Sequence, residues 1–130
     1  MPVTLNHTIV HVRDRKASAR FYADVLGLPD PEPFSHFMVL PLGNDVSLDF
    51  LDTRQEVSSQ HYAFLVSEEE FDEILDRIIK RGLQYWADPG YNQPGEINHN
   101  DGGRGVYWSD PDGHKLEILT RPYGSGSAGR

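Results

Sequence analysis

The feature of this sequence that most limits its fold is an internal repeat. Two amphipathic helices each follow a strand that carries a histidine, and these histidines, His7 and His61, lie 54 positions apart (61 − 7 = 54). The glycines that end the helices, Gly27 and Gly82, lie 55 positions apart (82 − 27 = 55). A shared period of this size indicates two copies of one β-α-β-β-(β) module rather than a chance pair of capped helices.

Capping signals place the helices. Asp14 caps the first, and Ser67 with Glu70 forms a capping box ahead of the second. Extended runs are expected after each helix, at residues 37–42 and 46–51 and at residues 83–86, 105–109 and 115–120. The pattern predicts an α+β fold in a single domain, residues 1–123, with module one at about 4–53 and module two at about 60–121. Residues 124–130 are expected to form a flexible tail.

Charge and composition exclude several classes of protein. The net charge of −8 argues against nucleic acid and anionic membranes as partners, because both are bound through clustered Lys and Arg. The chain has no cysteine, so it lacks disulfides, a thiolate nucleophile and a Cys-rich zinc site. Its first residues do not resemble a leader peptide, and no apolar run approaches about 18 residues. We therefore expect a cytoplasmic protein.

Strand alternation gathers polar residues on one face of each module. A helix covers the more apolar face of each sheet, which leaves His7 and His61 from the leading strands, and Asp49 and Glu117 from the closing strands, on the other faces. Two imidazoles with one or two carboxylates predict a divalent metal site of the His-His-carboxylate kind. A lone strand histidine is more often a half-buried residue with one hydrogen bond. The matched positions in both copies favour the metal site.

Three segments carry a family resemblance. They are Asn6–Leu28, with the runs NHTIVHV and ARFYADVLGL; His61–Val66, HYAFLV; and Gly105–Glu117, GVYWSDPDGHKLE. Together they resemble the vicinal oxygen chelate superfamily, which contains glyoxalases, bleomycin resistance proteins and extradiol dioxygenases, over residues 5 to about 120. The resemblance implies two β-α-β-β-β modules that form an open, cup-shaped mixed β-barrel with flanking helices. It also implies a homodimer and a small-molecule substrate, and in some members each site is built from modules of two chains.

The resemblance also assigns roles to residues. His7, His61 and Glu117 match the metal triad of the superfamily, and Asp49 matches the position of a fourth ligand in glyoxalase I-like members, so we place it near the substrate. The stretch from His99 to Glu117 resembles the signature of type I extradiol ring-cleavage dioxygenases. That likeness implies an acid/base role for His99, a hydrogen bond from Tyr107 to a substrate oxygen, and Fe(II) as the metal. Mn(II), Zn(II) and Ni(II) are the alternatives.

The long polar segment between Trp86 and Gly105 is typical of a functional loop or lid, or of a surface excursion. We expect Tyr91 and Arg104 in it to contact an aromatic or anionic substrate, although Arg104 can instead pair with Asp101. Two other readings stay open. One is a glyoxalase-like isomerase or a fosfomycin-type thiol transferase. The other is a metal-free small-molecule-binding resistance protein. The intact triad of His7, His61 and Glu117 argues against that second reading.

Overall fold

Two mixed sheets, each accompanied by one helix, confirm the predicted α+β class. The computed structural model describes residues 2–126, so residues 127–130 of the predicted tail lie outside the described residues. The chain divides into two units, Met1–Ser58 and Ser59–Arg130, whose boundary falls between the two predicted modules. Among the described helices, neither is long and apolar enough to cross a membrane.

The first unit contains four strands and one long helix. Its elements are β1 (His7–Val12), α1 (Arg15–Leu26), β2 (Glu32–Phe34), β3 (Phe37–Pro41), a 3-10 turn (Gly43–Asp45) and β4 (Ser47–Asp52). The strand order is β1-β4-β3-β2, with β1 parallel to β4 and the other pairs antiparallel. As predicted, the Asp14 carboxylate caps α1, and Gly27 ends it with a φ of 73°, a conformation that glycine adopts without a steric penalty.

The second unit contains three strands and one long helix. Its elements are β5 (His61–Leu65), α2 (Glu68–Lys80), a 3-10 turn (Asn100–Gly102), β6 (Gly105–Ser109) and β7 (Lys115–Leu119). The strand order is β5-β7-β6, with β5 parallel to β7 and β6 antiparallel to it. The predicted capping box is present, because Ser67 Oγ accepts from the Glu70 backbone N–H while the Glu70 carboxylate accepts from that of Ser67.

The two sheets hold equivalent residues in equivalent register. His7 on β1 pairs with the first residue of β4, and His61 on β5 pairs with the first residue of β7. Asp49 and Glu117 are the third residues of those closing strands. Because side chains alternate along a strand, each carboxylate lies on the same sheet face as the histidine of its unit. The predicted pairing of His7 with His61, and of Asp49 with Glu117, therefore agrees with the strand registers.

The opposite face of each sheet is mostly apolar, and much of it is buried together with residues of the helix, although Tyr62 and Phe64 on β5 are half-buried. In the first unit the buried set is Val10, Val12, Tyr22, Val25, Leu40, Leu48 and Phe50, and in the second it is Phe71, Ile74, Ile78, Val106, Trp108, Leu116 and Ile118. Tyr22 of α1 meets Phe50 of β4 edge to face, with ring centroids 4.8 Å apart. The helices thus cover the apolar faces, and burial of this area is the main stabilising contribution to each unit.

The strand expected at residues 83–86 is not formed, and this prediction was wrong. Of these four residues only Trp86 pairs with β6, through two backbone hydrogen bonds with Tyr107 of 2.9 and 2.8 Å. The chain then turns away, since the Asp88 carboxylate accepts the backbone N–H groups of Asn92 and Gln93. Local hydrogen bonds of this Asx type offer the backbone an alternative to a sheet ladder. The module-two counterpart of a fourth strand is therefore a single bridge.

Candidate metal centre

His61 and Glu117 meet on neighbouring strands of the second sheet. The register pairs Glu117 of β7 with the residue two positions after His61 on β5. His61 Nε2 lies 2.9 Å from Glu117 Oε1, and Glu117 is only 1% exposed. A carboxylate on the solvated face of an edge strand would be largely exposed, because charged side chains are seldom buried without partners. Glu117 is thus a buried, partnered carboxylate beside an imidazole.

The turn Asp110–His114 sets the register of this pair. The Asp110 carboxylate accepts the backbone N–H of His114 at 2.8 Å, and the φ of Gly113 is 88°. His114 is 1% exposed. Its Nδ1 accepts the backbone N–H of Gln60 at 3.0 Å, while the N–H of Lys115 donates to the carbonyl of Gln60 at 2.8 Å. His114 therefore ties the start of β5 to the start of β7.

We expect His114→Ala to lower the free energy of unfolding by about 2–3 kcal/mol, because it leaves a cavity and an unpaired Gln60 N–H. Chemical denaturation monitored by circular dichroism measures the change. The matched control is His36→Ala, which removes an exposed imidazole. His114→Asn keeps an acceptor for the Gln60 N–H and should recover part of the stability. An unfolding midpoint of His114→Ala equal to that of His36→Ala would contradict this role.

Two tyrosine hydroxyls complete the cluster around Glu117. Tyr107 of β6 pairs with Glu117 in register, and its ring stacks on His61 at a centroid distance of 5.9 Å. Tyr107 Oη lies 3.1 Å from Tyr123 Oη, and Tyr123 Oη lies 2.6 Å from each oxygen of Glu117. Burial raises the pKa of both tyrosines above the ordinary value, and the hydrogen bond to Glu117 raises that of Tyr123 further. Both hydroxyls therefore stay protonated donors at neutral pH.

In the first unit, His7 and Asp49 have partners of their own. His7 Nδ1 lies 2.7 Å from Asn6 Oδ1. An amide oxygen only accepts, so Nδ1 carries the proton and a neutral His7 keeps the lone pair on Nε2. This kind of bond orients metal-binding histidines. Asp49 Oδ1 accepts from Ser47 Oγ at 2.8 Å. A neutral His7 thus leaves Nε2 available, as its predicted role requires, whereas the Asp49 carboxylate, shorter than that of Glu117 by one methylene, is hydrogen-bonded to Ser47.

Tyr91 is built into the long loop. Its ring stacks on Trp86 at 3.8 Å with an angle of 9° between the planes, and its hydroxyl lies 2.6 Å from Ser109 Oγ. Lys115 Nζ lies 5.0 Å from the centre of the same ring and donates to the carbonyl of Pro89 at 2.7 Å. These contacts pin the loop to β6 and β7. Trp86 and Tyr91 are both half-buried, and substrate contact by Tyr91 stays a prediction.

Arg104 and His99 lie at the other end of the loop. Arg104 donates to Glu68 and Asp72 of α2 at 2.7 Å each, and its guanidinium carbon lies 4.4 Å from the centre of the Phe71 ring. The predicted substrate role of Arg104 stays a prediction, and it requires the guanidinium to leave these partners. His99 is exposed at the start of the 3-10 turn. Of the two predicted catalytic residues, the structure places Tyr107 beside His61 and Glu117.

The residues of the cluster fit a divalent transition metal. When two ligand atoms each lie about 2.1 Å from one ion and make a right angle at it, they are about 3 Å from each other. The separation of His61 Nε2 and Glu117 Oε1, 2.9 Å, matches that distance. Imidazole and carboxylate are donors that Fe(II), Mn(II) and Zn(II) accept. Within residues 2–126, no three His, Asp or Glu side chains form a ligand set. His61 and Glu117, two of the three predicted metal donors, thus lie next to each other, and the third, His7, belongs to the first unit.

The fold and this cluster define the class of the protein. The family model of the Glyoxalase/Bleomycin resistance protein/Dioxygenase superfamily matches residues 4–118. The chain belongs to this superfamily, and the resemblance drawn from its three segments is confirmed.

The individual relatives are enzymes of more than one kind. Oxidase ChaP-H1 is 69% identical, with a TM-score of 0.93, over 95% of this chain and 99% of that chain. Oxidase ChaP-H2 is 61% identical, with a TM-score of 0.95, over 98% of this chain and 100% of that chain. Glutathione transferase FosA of Serratia marcescens is 32% identical over 88% of this chain and 79% of its own length. Metallothiol transferase FosB of Lysinibacillus sphaericus is 30% identical, over 90% and 82% respectively.

Proposed function

We propose that this protein is a metal-dependent oxidase of the extradiol dioxygenase type that acts on an aromatic substrate with two adjacent oxygens. The observation that carries the proposal is the 69% identity to Oxidase ChaP-H1 over 95% of this chain. The cluster of His61, Glu117 and Tyr107 supports it, since it joins metal donors to a hydroxyl that can bind a substrate oxygen. The proposed metal is Fe(II), held by His7, His61 and Glu117.

When bound, the metal supplies a Lewis acid with open positions for two substrate oxygens and for O₂. The residues of this chain bind and orient the reactants around it. Glu117 contributes the negative charge of a buried carboxylate, and His61 presents Nε2 beside one of its oxygens. Tyr107, whose ring is held against His61, directs its hydroxyl toward this cluster. We assign to that hydroxyl a hydrogen bond to the substrate, and to His99 the removal of a substrate proton.

Thiol transfer is the second candidate, and the identity of 32% to FosA of Serratia marcescens favours it. Both reactions use a metal and anionic oxygens of a substrate, so the triad alone does not separate them. The higher identity to the two oxidases makes oxidation our first choice. The two reactions can be told apart by the co-substrate consumed, which is O₂ for oxidation and a thiol for thiol transfer.

We expect protein purified without chelators under anaerobic conditions, then loaded with Fe(II), to consume O₂ with one or more members of a catechol panel. An oxygen electrode measures the reaction, and metal analysis gives the metal bound per chain. Protein treated with a chelator serves as the control and should be inactive.

In parallel, fosfomycin is incubated with Mn(II)-loaded protein and glutathione or cysteine. Loss of thiol without any O₂ uptake would overturn the oxidase proposal and support transfer.

A further inference from the structure

The segment after β7 returns to the metal cluster. Residues 122–125 form a turn in which the Ser125 N–H donates to the carbonyl of Pro122 at 3.0 Å, and Arg121 donates to the carbonyl of Ser125 at 2.9 Å. The Gly126 N–H donates to the Asp101 carboxylate at 3.1 Å. The start of the predicted flexible tail is therefore anchored in the described residues, and Tyr123 sits at a defined place although it lies beyond the last strand.

The hydrogen bonds of Tyr123 have a direction. An ionised carboxylate only accepts, so the single proton of Tyr123 Oη goes to Glu117, and Tyr123 Oη in turn accepts from Tyr107 Oη, 3.1 Å away. The two oxygens of Glu117 are not equivalent. Tyr123 Oη lies 2.6 Å from both, but only Oε1 also lies beside His61 Nε2, at 2.9 Å. The chain of donors thus runs from Tyr107 through Tyr123 to the carboxylate.

We propose that Tyr123 is a positioning residue for the metal: its hydroxyl, 2.6 Å from both oxygens of Glu117, fixes the orientation of the carboxylate, so that Oε1, the oxygen beside His61, is held where it can bind the ion. The inference rests on the proposed function in requiring that Glu117 bind a metal. It extends that function because it assigns a role to a residue outside the family motifs and makes the C-terminal turn part of the site. Outer hydrogen bonds of this kind fix the orientation and basicity of ligands.

The geometry also allows the opposite effect, and the sign of one measurement separates them. A hydroxyl placed 2.6 Å from both carboxylate oxygens occupies the region that a bidentate ion would take. If Tyr123 competed with the metal, its removal would tighten metal binding. If it positions Glu117, its removal weakens binding.

The test is the affinity of the full chain for Mn(II), measured by calorimetry, in wild type and Tyr123→Phe. We expect Tyr123→Phe to bind about 10- to 100-fold more weakly and to alter the visible spectrum of bound Co(II), since the carboxylate is free to rotate. Tyr85→Phe, which makes the same chemical change elsewhere, should match wild type in both. Circular dichroism establishes that each variant is folded. Unchanged or tighter Mn(II) binding by Tyr123→Phe overturns the inference.

Chemical rescue gives a second, independent readout. Tyr123 is 62% exposed, so a small phenol can reach its place from solvent in Tyr123→Ala. We expect added phenol to restore part of the Mn(II) affinity of Tyr123→Ala, and anisole, which has no donor, to restore none. Equal effects of the two compounds would count against the role of the hydroxyl. If wild type itself binds neither Mn(II) nor Co(II), the proposed function fails as well; if only the Tyr123 results fail, the metal site survives.

Discussion

Glu117→Gln is expected to weaken metal binding by more than about 100-fold and to reduce oxidation to background. Loss of an outer-shell hydrogen bond alone lowers metal affinity about 10- to 100-fold, and this substitution removes a ligand and its negative charge. Glutamine keeps the shape of the side chain and can still accept from Tyr123 and face His61, so the fold should survive. Metal analysis after gel filtration, together with O₂ uptake, measures the two effects.

The matched control is Glu73→Gln, which makes the same change at an exposed position of α2. It should retain wild-type metal content and turnover. Circular dichroism of Glu117→Gln separates loss of the site from loss of the fold. Full metal occupancy in a folded Glu117→Gln protein would remove this residue from the ligand set, and the proposed triad would fall with it.

Glu117→Gln also reports on how modules pair in the homodimer that the family resemblance implies. When it is mixed and refolded with an equal amount of His7→Ala, half of the dimers contain one of each chain. If each site combines His7 of one chain with Glu117 of the other, every mixed dimer has one intact site, and activity returns to about a quarter of wild type. If each site lies within one chain, no intact site forms. Gel filtration of the mixture establishes the dimer.

The fold and the proximity of His61 to Glu117 could be predicted because they follow from local rules. Capping residues fixed both helices, and alternation along β5 and β7 put His61 and Glu117 on one sheet face. The turn before β7 sets the register, and a slip of one residue would have turned Glu117 into the apolar face. The duplication was needed as well, since a single strand gives no reason to prefer a metal ligand over a solvated carboxylate.

The remaining features depend on contacts that no short pattern encodes. Tyr123 lies six positions after Glu117 and beyond the last strand, so neither the helix period nor the strand period of the sequence places it near the carboxylate. The sequence predicted substrate contact for Tyr91 because the residue lies in a long polar segment typical of a functional loop. Its stacking on Trp86 depends instead on how a loop of nearly twenty residues folds back on β6. Arg104 was open to several partners, and the packing of α2 decides in favour of Glu68 and Asp72.

His99 combines a fixed backbone with an exposed imidazole. The neighbouring Asn98 exchanges two backbone hydrogen bonds with Gly105, of 2.9 and 3.0 Å, and its side chain donates to the carbonyl of Ala87 at 2.8 Å. Gly105 opens β6, the strand that carries Tyr107. The backbone at His99 is therefore tied to the same strand as the proposed substrate-binding hydroxyl. Histidine is the side chain that changes charge between pH 5 and 8, which suits it to accept a substrate proton and pass it to water.

We expect His99→Gln to lower kcat for oxidation by about 100-fold or more, the usual contribution of a positioned proton acceptor, and to leave Mn(II) affinity unchanged because His99 is not a proposed ligand. Steady-state O₂ uptake and metal titration measure the two quantities on the same preparations. His36→Gln, which also alters an exposed imidazole, should leave both at wild-type values. If His99→Gln turns over like His36→Gln, the proton goes elsewhere, and the next candidate acceptor is the Glu117 carboxylate, reached through the hydroxyls of Tyr107 and Tyr123.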